Sequence, residues 1–167
     1  NIILLKHHPR DLKPTNPCYT NQCENLSDYI FIDVTSRSAR NKEFMKEHPT
    51  FAKDLSPFFM GPLVSSDGVE CKRFEIFWQC GKVYPPHDDN GKPNSKYFEW
   101  RNYYYSLDTN DRKVLRHTNE TLGCSHSDTR YFAYYNKDSG EWEALDYVTA
   151  RKKVYFPEYA KLVVNTE

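Results

Sequence analysis

Four side chains that could take part in chemistry fall on one narrow stripe if residues 71–84 form a helix. At about 100° per residue, Trp78, Gln79 and Lys82 lie within about 60° of Glu75. An aromatic ring, an amide, an ammonium group and a carboxylate placed together suit a flat polar ring such as a nucleobase. This stripe is the first candidate for a functional site.

The rest of the same segment is apolar nearly all round, which is typical of a buried helix. Buried charges are unfavourable unless they are paired or used. In one interpretation, Glu75 and Lys82 contact each other two turns apart, or find separate partners, and only support a core helix. In the other, the stripe faces a cleft and binds a ligand. The residues alone leave both interpretations open.

The proposed helix lies between a turn signal and a stop signal. Residues 65–68 read Ser-Ser-Asp-Gly, in which Gly68 can adopt a positive φ. No proline occurs between Cys71 and Tyr84, and Pro85–Pro86 prevents continuation. We therefore predict a helix of roughly three turns there.

These segments resemble a known family. Ser-Pro-Phe at 56–58, Asp-Gly at 67–68 and Phe-Glu-Ile-Phe-Trp-Gln-Cys-Gly-Lys at 74–82 resemble the signature of the NADAR/YbiA-like superfamily. The stretch at 145–155, LDYVTARKKVY, resembles an uncharacterised, partly phage-borne branch that shares the Ser-Pro-Phe-Phe and Ala-Arg-Lys motifs. Together the two similarities cover most of residues 54–164.

We expect an α+β fold, mostly helical around a small sheet and YbiA/NADAR-like, with a cleft beside the 71–84 helix. The resemblance implies hydrolysis of an N-glycosidic bond, with no metal and no cofactor. Its members remove ADP-ribose from modified guanine or cleave ribosylamino intermediates of riboflavin synthesis. Such reactions pass through an oxocarbenium-like sugar that a carboxylate can stabilise.

The resemblance and the wheel geometry together assign roles. Glu75 and Lys82 are the candidate catalytic residues, with Lys82 holding a phosphate or tuning Glu75. Trp78 would stack on the base or a ribose, and Gln79 would orient a hydroxyl or base edge. The other candidate substrate-binding residues are Ser56, Phe58, Arg116 and Arg151.

Two of these candidates depend on their local context. Arg116 belongs to the densest positive patch of the chain, at 112–117, where the compared branch has an Arg-bearing, Gly/Lys-rich loop whose Gly/Lys part is absent here. Arg151 lies at the centre of a helical face with Tyr147, Ala150 and Val154. We expect it either to snorkel or to pair with an acid, with Glu75 as the nominated partner.

A second class of function is a non-catalytic module that reads a nucleotide or ADP-ribose, or a subunit of an assembly with the same fold. A deep pocket holding Glu75 favours the enzyme, whereas a stripe sealed by Arg151 or by the N-terminal arm favours the module. The expected partner is a nucleotide or an ADP-ribosylated base, which could belong to a nucleic acid. The formal charges balance at 23 against 23, so any nucleic-acid contact must be local.

Composition also bounds the architecture. The 167 residues are enough for one domain with a real core. Residues 1–24 hold three prolines and read as an arm that could dock a protein partner, followed by a NADAR-like domain over 25–167. Tyr29–Val34 is the clearest predicted strand. No run of about 18 apolar residues predicts a membrane span.

The cysteines indicate the compartment. Five is an odd number, and Cys71 and Cys80 on one helix would lie about 13 Å apart along its axis, too far to pair. Free thiols favour a cytoplasmic, reducing location. Two N-glycosylation sequons, at Asn25 and Asn119, are also compatible with a secreted protein. A secreted, effector-like domain would require a disulfide between two of Cys18, Cys23 and Cys124.

The remaining elements are predicted from local signals. Residues 87–93 read as a polar turn whose simplest role is a linker. Ser95 reads as the cap of a helix starting near Lys96, and 131–135 with 141–143 as a hairpin. Asp146 is predicted to cap a helix that Pro157 ends, with a closing helix over 157–164.

Overall fold

The structure is a computed structural model and describes residues 54–165. These residues fall within one compact unit and combine helices with small antiparallel sheets, so the described part of the chain is α+β as expected. The predicted arm at 1–24, its boundary with the following domain and the strand at 29–34 lie outside the described residues.

The strands are β1 (Leu63–Val64), β2 (Glu70–Cys71), β3 (Lys82–Val83), β4 (Asp88–Asp89), β5 (Lys92–Pro93), β6 (Tyr131–Asn136) and β7 (Glu141–Leu145). The α-helices are α1 (Phe74–Cys80), α2 (Ser95–Ser106), α3 (Arg112–Arg116), α4 (Tyr147–Ala150) and α5 (Phe156–Val164). Short 3₁₀ helices occupy Pro85–His87, Thr118–Leu122 and His126–Asp128, and a π-helical turn at Arg151–Tyr155 joins α4 to α5.

The strands form three antiparallel sheets. The largest has the order β3-β6-β7, with Lys82 opposite Phe132 and Phe132 opposite Leu145. In the smaller ones, β1 pairs with β2 and β4 pairs with β5. The predicted hairpin at 131–143 is confirmed as β6 and β7, which extend one and two residues further than expected.

Helix α1 forms the centre of the described core, because all seven of its residues are buried. It is shorter than the predicted helix over 71–84. Cys71 lies in β2, and the Lys82–Val83 pair lies in β3. The helix ends because the next segment pairs with β6: the Gly81 carbonyl accepts a 2.8 Å hydrogen bond from the Ala133 N–H. A strand partner 50 residues away therefore overrides the local helical pattern.

The polar turn predicted at 87–93 is confirmed at Asn90–Gly91, but it joins two paired strands and is not a linker. These residues form the β4–β5 hairpin, whose Asn90 and Gly91 have φ values of 54° and 86°, the two positive values that a type I′ turn requires. The next helix, α2, begins at Ser95 and is capped by Asn94, whose side chain accepts a 3.1 Å hydrogen bond from the Tyr97 N–H. The predicted Ser95 cap is thus displaced by one residue.

The C-terminal helices are continuous where a break was predicted. Asp146 caps α4 as expected, accepting hydrogen bonds from the Val148 and Thr149 N–H groups. Pro157 does not end the helix: the π-helical turn shifts the register, so this proline falls in the first turn of α5, where a missing N–H is tolerated. None of the helices in residues 54–165 is long and apolar enough to cross a bilayer.

Candidate functional site

A turn over Ser56–Met60 covers the N-terminus of α1. The Glu75 N–H donates to the Pro57 carbonyl at 3.0 Å, and the Phe74 N–H donates to the Met60 carbonyl at 2.9 Å. These bonds satisfy two of the amides that a helix leaves free at its start. Ser56 and Phe58, two of the predicted substrate-binding residues, are buried within this turn. The turn therefore lies beside the backbone of Glu75.

Three polar side chains form a hydrogen-bonded chain along α1. Lys82 donates from Nζ to Gln79 Oε1 at 2.6 Å, and Gln79 donates from Nε2 to Glu75 Oε1 at 2.8 Å. Glu75 and Gln79 are one helical turn apart, whereas Lys82 enters from β3. The amide thus connects the carboxylate to the ammonium group, both of which the sequence analysis placed on one stripe.

Burial controls the protonation of this chain. Glu75 is only 8% exposed, and this burial raises the pKa of its carboxyl, while the hydrogen bond from Gln79 and the charges of Lys82 and Arg116 partly lower it. Burial also lowers the pKa of the Lys82 ammonium, against the raising effect of Glu75. The pKa values of the two groups therefore lie closer together than those of an exposed acid and an exposed amine.

Trp78 lies in an aromatic cluster. Its ring stacks on Phe132 at 4.9 Å between centroids and meets the edge of Tyr155 at the same distance. The guanidinium of Arg151 lies 5.9 Å from its centroid, and the Lys82 ammonium lies at 5.8 Å. Trp78 is only 6% exposed. A base that stacked on the Trp78 ring would have to displace the side chain of Arg151 or Lys82 from it.

The nominated ion pair between Arg151 and Glu75 is not formed among the described residues. Arg151 instead donates to the Tyr147 hydroxyl at 3.3 Å and packs on the rings of Tyr155 and Phe156 at 4.4 and 5.0 Å. The aromatic faces stabilise the cation without a carboxylate. Its Nε is buried and makes no hydrogen bond within residues 54–165.

Arg116 is exposed at the end of α3, and its charge acts on both Glu75 and Lys82. Two further residues near the chain were missed by the sequence analysis. Burial and the charge of Glu75 raise the pKa of Tyr155 to about 12. Burial lowers the pKa of His126, as do the charges of Lys82 and Arg116. Tyr155 could have been found four residues after Arg151 on the same helix, but nothing local indicated His126.

A cavity of about 260 Å³ lies on a different side of α1. Phe77 and Gly81 line it, together with residues of α2, β6, β7 and the C-terminal helices. Glu75, Trp78, Gln79 and Lys82 are absent from the described wall of this cavity. This cavity is therefore not the cleft that the sequence predicts beside Glu75.

Within residues 54–165, no cluster of three or more His, Cys, Asp or Glu side chains could hold a metal ion. Cys71, Cys80 and Cys124 are free thiols. Cys18 and Cys23, required with Cys124 for the secreted alternative, lie outside the described residues.

Comparison of the chain with protein-family models, with curated proteins and with solved structures found no match.

Proposed function

We propose that this chain hydrolyses an N-glycosidic bond in an ADP-ribosylated or ribosylamino base or nucleotide, with Glu75 as the essential carboxylate and a YbiA/NADAR-like fold. The observation that carries the proposal is the hydrogen-bonded chain Lys82–Gln79–Glu75, in which Glu75 and Gln79 belong to the buried helix α1 and Lys82 belongs to β3. It holds one acid in a defined orientation in a weakly solvated site, where its effect on a developing positive charge is greatest.

The chemistry assigned to Glu75 follows from its surroundings. As the base departs, positive charge grows on the sugar, and a carboxylate beside the anomeric carbon stabilises it or activates the attacking water. Gln79 occupies one carboxylate oxygen, Oε1. Oε2 is the oxygen we assign to the sugar or to water.

The surrounding cations supply affinity for phosphate. Arg116 is exposed, Lys82 is half-buried, and Arg151 retains an unpartnered Nε within the described chain. A phosphorylated ribose or an ADP-ribose could place its phosphates among these groups. The patch at Arg112, Lys113 and Arg116 gives a base within nucleic acid a local contact, although the chain as a whole is neutral.

A non-catalytic nucleotide or ADP-ribose-binding subunit is the second candidate. The observation that favours it is the closure of the site: Glu75 is 8% exposed and Trp78 is 6% exposed, with Arg151 lying over the ring. In such a closed site, a side chain must move aside before a ligand can enter. Once bound, the ligand would then be retained, as a binding module requires. A protein partner that docks on residues 1–24 would fit the same candidate.

Two assays test the proposal. One measures release of ADP-ribose from ADP-ribosylated guanine in DNA, and the other measures hydrolysis of ribosylamino-pyrimidine phosphates. In Glu75→Gln, the side-chain volume is kept and the charge is lost, so we expect turnover to fall by about 10²–10⁴ while ligand affinity is largely kept. If the wild-type chain turns over neither substrate but binds ADP-ribose, the binding module is correct; if it binds no nucleotide either, both candidates fail.

The proposal also places the chain in a reducing, intracellular compartment. Its support is the free state of Cys71, Cys80 and Cys124, of which the first two are fully buried.

A further inference from the structure

The cavity on the other side of α1 has a strongly polar and cationic wall. Four cationic side chains line it, namely Arg101, Lys137, Lys153 and Lys161, against the two carboxylates of Asp67 and Glu158. Three of the cations are already paired: Arg101 with Asp67, Lys153 with Glu143 and Lys161 with Glu158, at 2.6 to 2.8 Å. Lys137 makes no hydrogen bond or ion pair within residues 54–165, so its charge is available to an anion.

One wall of the cavity also carries an unused hydroxyl group. Tyr97 is fully buried, and its hydroxyl has no hydrogen-bond partner in the described chain. Tyr97 lines the cavity, and the charges of Arg101 and Asp67, which line it too, act on this hydroxyl. A buried polar group without a hydrogen-bond partner destabilises the free protein. A ligand that hydrogen-bonds to this group removes that penalty and therefore binds more tightly.

Further hydrogen-bonding groups are held in place nearby. Asp67 accepts 2.6 Å bonds from both Ser65 Oγ and Arg101, and each carboxylate oxygen keeps a second acceptor direction. Ser66 accepts from the Tyr135 N–H at 3.0 Å through its oxygen, which leaves its hydroxyl hydrogen to donate. The wall therefore offers fixed donors and acceptors of the kind that bind sugar hydroxyls.

The wall is completed by aromatic surface. Trp142 and Tyr134 line the cavity beside these polar groups. Aromatic faces suit the C–H face of a sugar ring, while the lysines suit a phosphate. The volume of about 260 Å³ lies just below the range of drug-sized sites, about 300–1,000 Å³, so it fits a small metabolite better than a dinucleotide.

We infer that this cavity is a second binding site, separate from Glu75, for a small phosphorylated polyol such as a sugar phosphate. Lys137 contacts the phosphate, and Tyr97, Ser66 and Asp67 contact the hydroxyls. This inference does not depend on the proposed hydrolase activity, because no residue of the Lys82–Gln79–Glu75 chain lines the cavity.

Calorimetric titration of the full chain with glucose 6-phosphate tests the site, with glucose and inorganic phosphate as partial ligands. We expect glucose 6-phosphate to bind more tightly than either part and to weaken as salt is raised. Lys137→Met should lower the affinity by up to about fivefold, the scale of one exposed charge pair. Its matched control is Lys152→Met, which removes an exposed charge that does not line the cavity and should leave the affinity unchanged.

Tyr97→Phe gives a second, independent readout. It deletes only the hydroxyl, so affinity should fall by about 2- to 12-fold, the value of one hydrogen bond. Because that hydroxyl has no partner in the described chain, the thermal stability of the free protein should stay the same or rise. Absence of glucose 6-phosphate binding overturns the inference. So does a loss of affinity in Lys82→Met but not in Lys137→Met, because the ligand would then sit at the Glu75 site.

Discussion

Gln79 lies one helical turn after Glu75 and donates a 2.8 Å hydrogen bond to its carboxylate, inside a helix whose seven residues are all buried. Since Lys82 donates in turn to Gln79, a single amide orients the acid and couples it to a cation. The carboxylate cannot rotate freely to water. Its protonation should therefore be visible in the stability of the whole fold.

The first prediction concerns the pH dependence of stability in Glu75→Gln. Burial raises the pKa of Glu75 in the folded state above its ordinary value of 4.5. The stabilisation that the protonated Glu75 side chain gives to the fold is then fully present at pH values below 4.5, its ordinary pKa. It is lost as the pH rises through the raised pKa of the folded state. Relative to the variant, the wild type should be more stable in acid than at neutral pH, as measured by urea unfolding across that range.

The control for this experiment is Glu141→Gln, which changes an exposed glutamate in β7. Its difference from wild type should stay nearly constant with pH. If the stability difference between Glu75→Gln and wild type is also constant with pH, Glu75 is exposed to solvent in solution. The burial of its carboxyl is then contradicted.

The second prediction concerns Lys82→Met, which removes a half-buried cation and leaves the Gln79 amide oxygen without its donor. We expect affinity for phosphate-bearing ligands to fall by about tenfold or more, the value of a hydrogen bond to a charged group. Turnover of a neutral ribosyl substrate should change less. Binding of ADP-ribose and of a neutral riboside, measured side by side, separates the two effects. Lys92→Met, in the exposed β5 strand, should leave both unchanged.

The third prediction concerns the pair of Arg101 and Asp67. Arg101 is 3% exposed, and four aromatic rings surround its guanidinium. Asp67→Ala leaves this cation buried without its carboxylate, so the free energy of unfolding should fall by about 3–5 kcal/mol. Asp108→Ala, which removes the 70%-exposed partner of Arg73, should cost less than about 1 kcal/mol. Similar losses in the two variants would contradict the burial of Arg101.

Local patterns predicted much of the described fold. The β6–β7 hairpin follows from alternating aromatic and turn residues, and the cap at Asp146 follows from its side-chain chemistry. The same signals place a helix around Glu75. Its end could not be predicted, because Lys82 and Val83 pair with strand residues near position 132, a contact that no local pattern encodes.

Only part of the candidate site could be predicted from the sequence. Spacing along one helix brought Glu75, Trp78 and Gln79 together, as one turn of an α-helix requires. The surroundings of Arg151 depend on tertiary packing instead, and its aromatic partners replaced the expected carboxylate. The cavity near Tyr97 was missed entirely, since its wall combines residues from seven separate elements.

The fourth prediction tests what ends α1. A Cβ placed on Gly81 would overlap the ring of Phe132, so Gly81→Ala must push the ring or the β3 backbone aside. Overpacking of this kind lowers the free energy of unfolding by about 1–3 kcal/mol. Phe132→Leu also destabilises, but the double variant should be more stable than the sum of the two losses predicts. Strict additivity in chemical denaturation would show that the two residues are not in contact.

The last prediction concerns the thiols. Cys71 and Cys80 are completely buried, and burial raises the pKa of Cys71 to about 12. Burial also raises the pKa of Cys80 well above its usual range. Because the thiolate is the reactive form, alkylation of Cys71 in the native protein should be slower by about a thousandfold or more than that of an ordinary thiol. Cys124, which is only half-buried, is the internal reference and should be labelled before Cys71 and Cys80.

Peptide mapping after iodoacetamide treatment, without reductant, measures this order directly. In the unfolded chain, both buried cysteines should become fully alkylated. Rapid native labelling of Cys71 would contradict its packing between β2 and α1. A disulfide at Cys71 or Cys80 that survives unfolding would instead overturn both the proposed reducing compartment and the packing around α1, because the described fold holds both as free thiols.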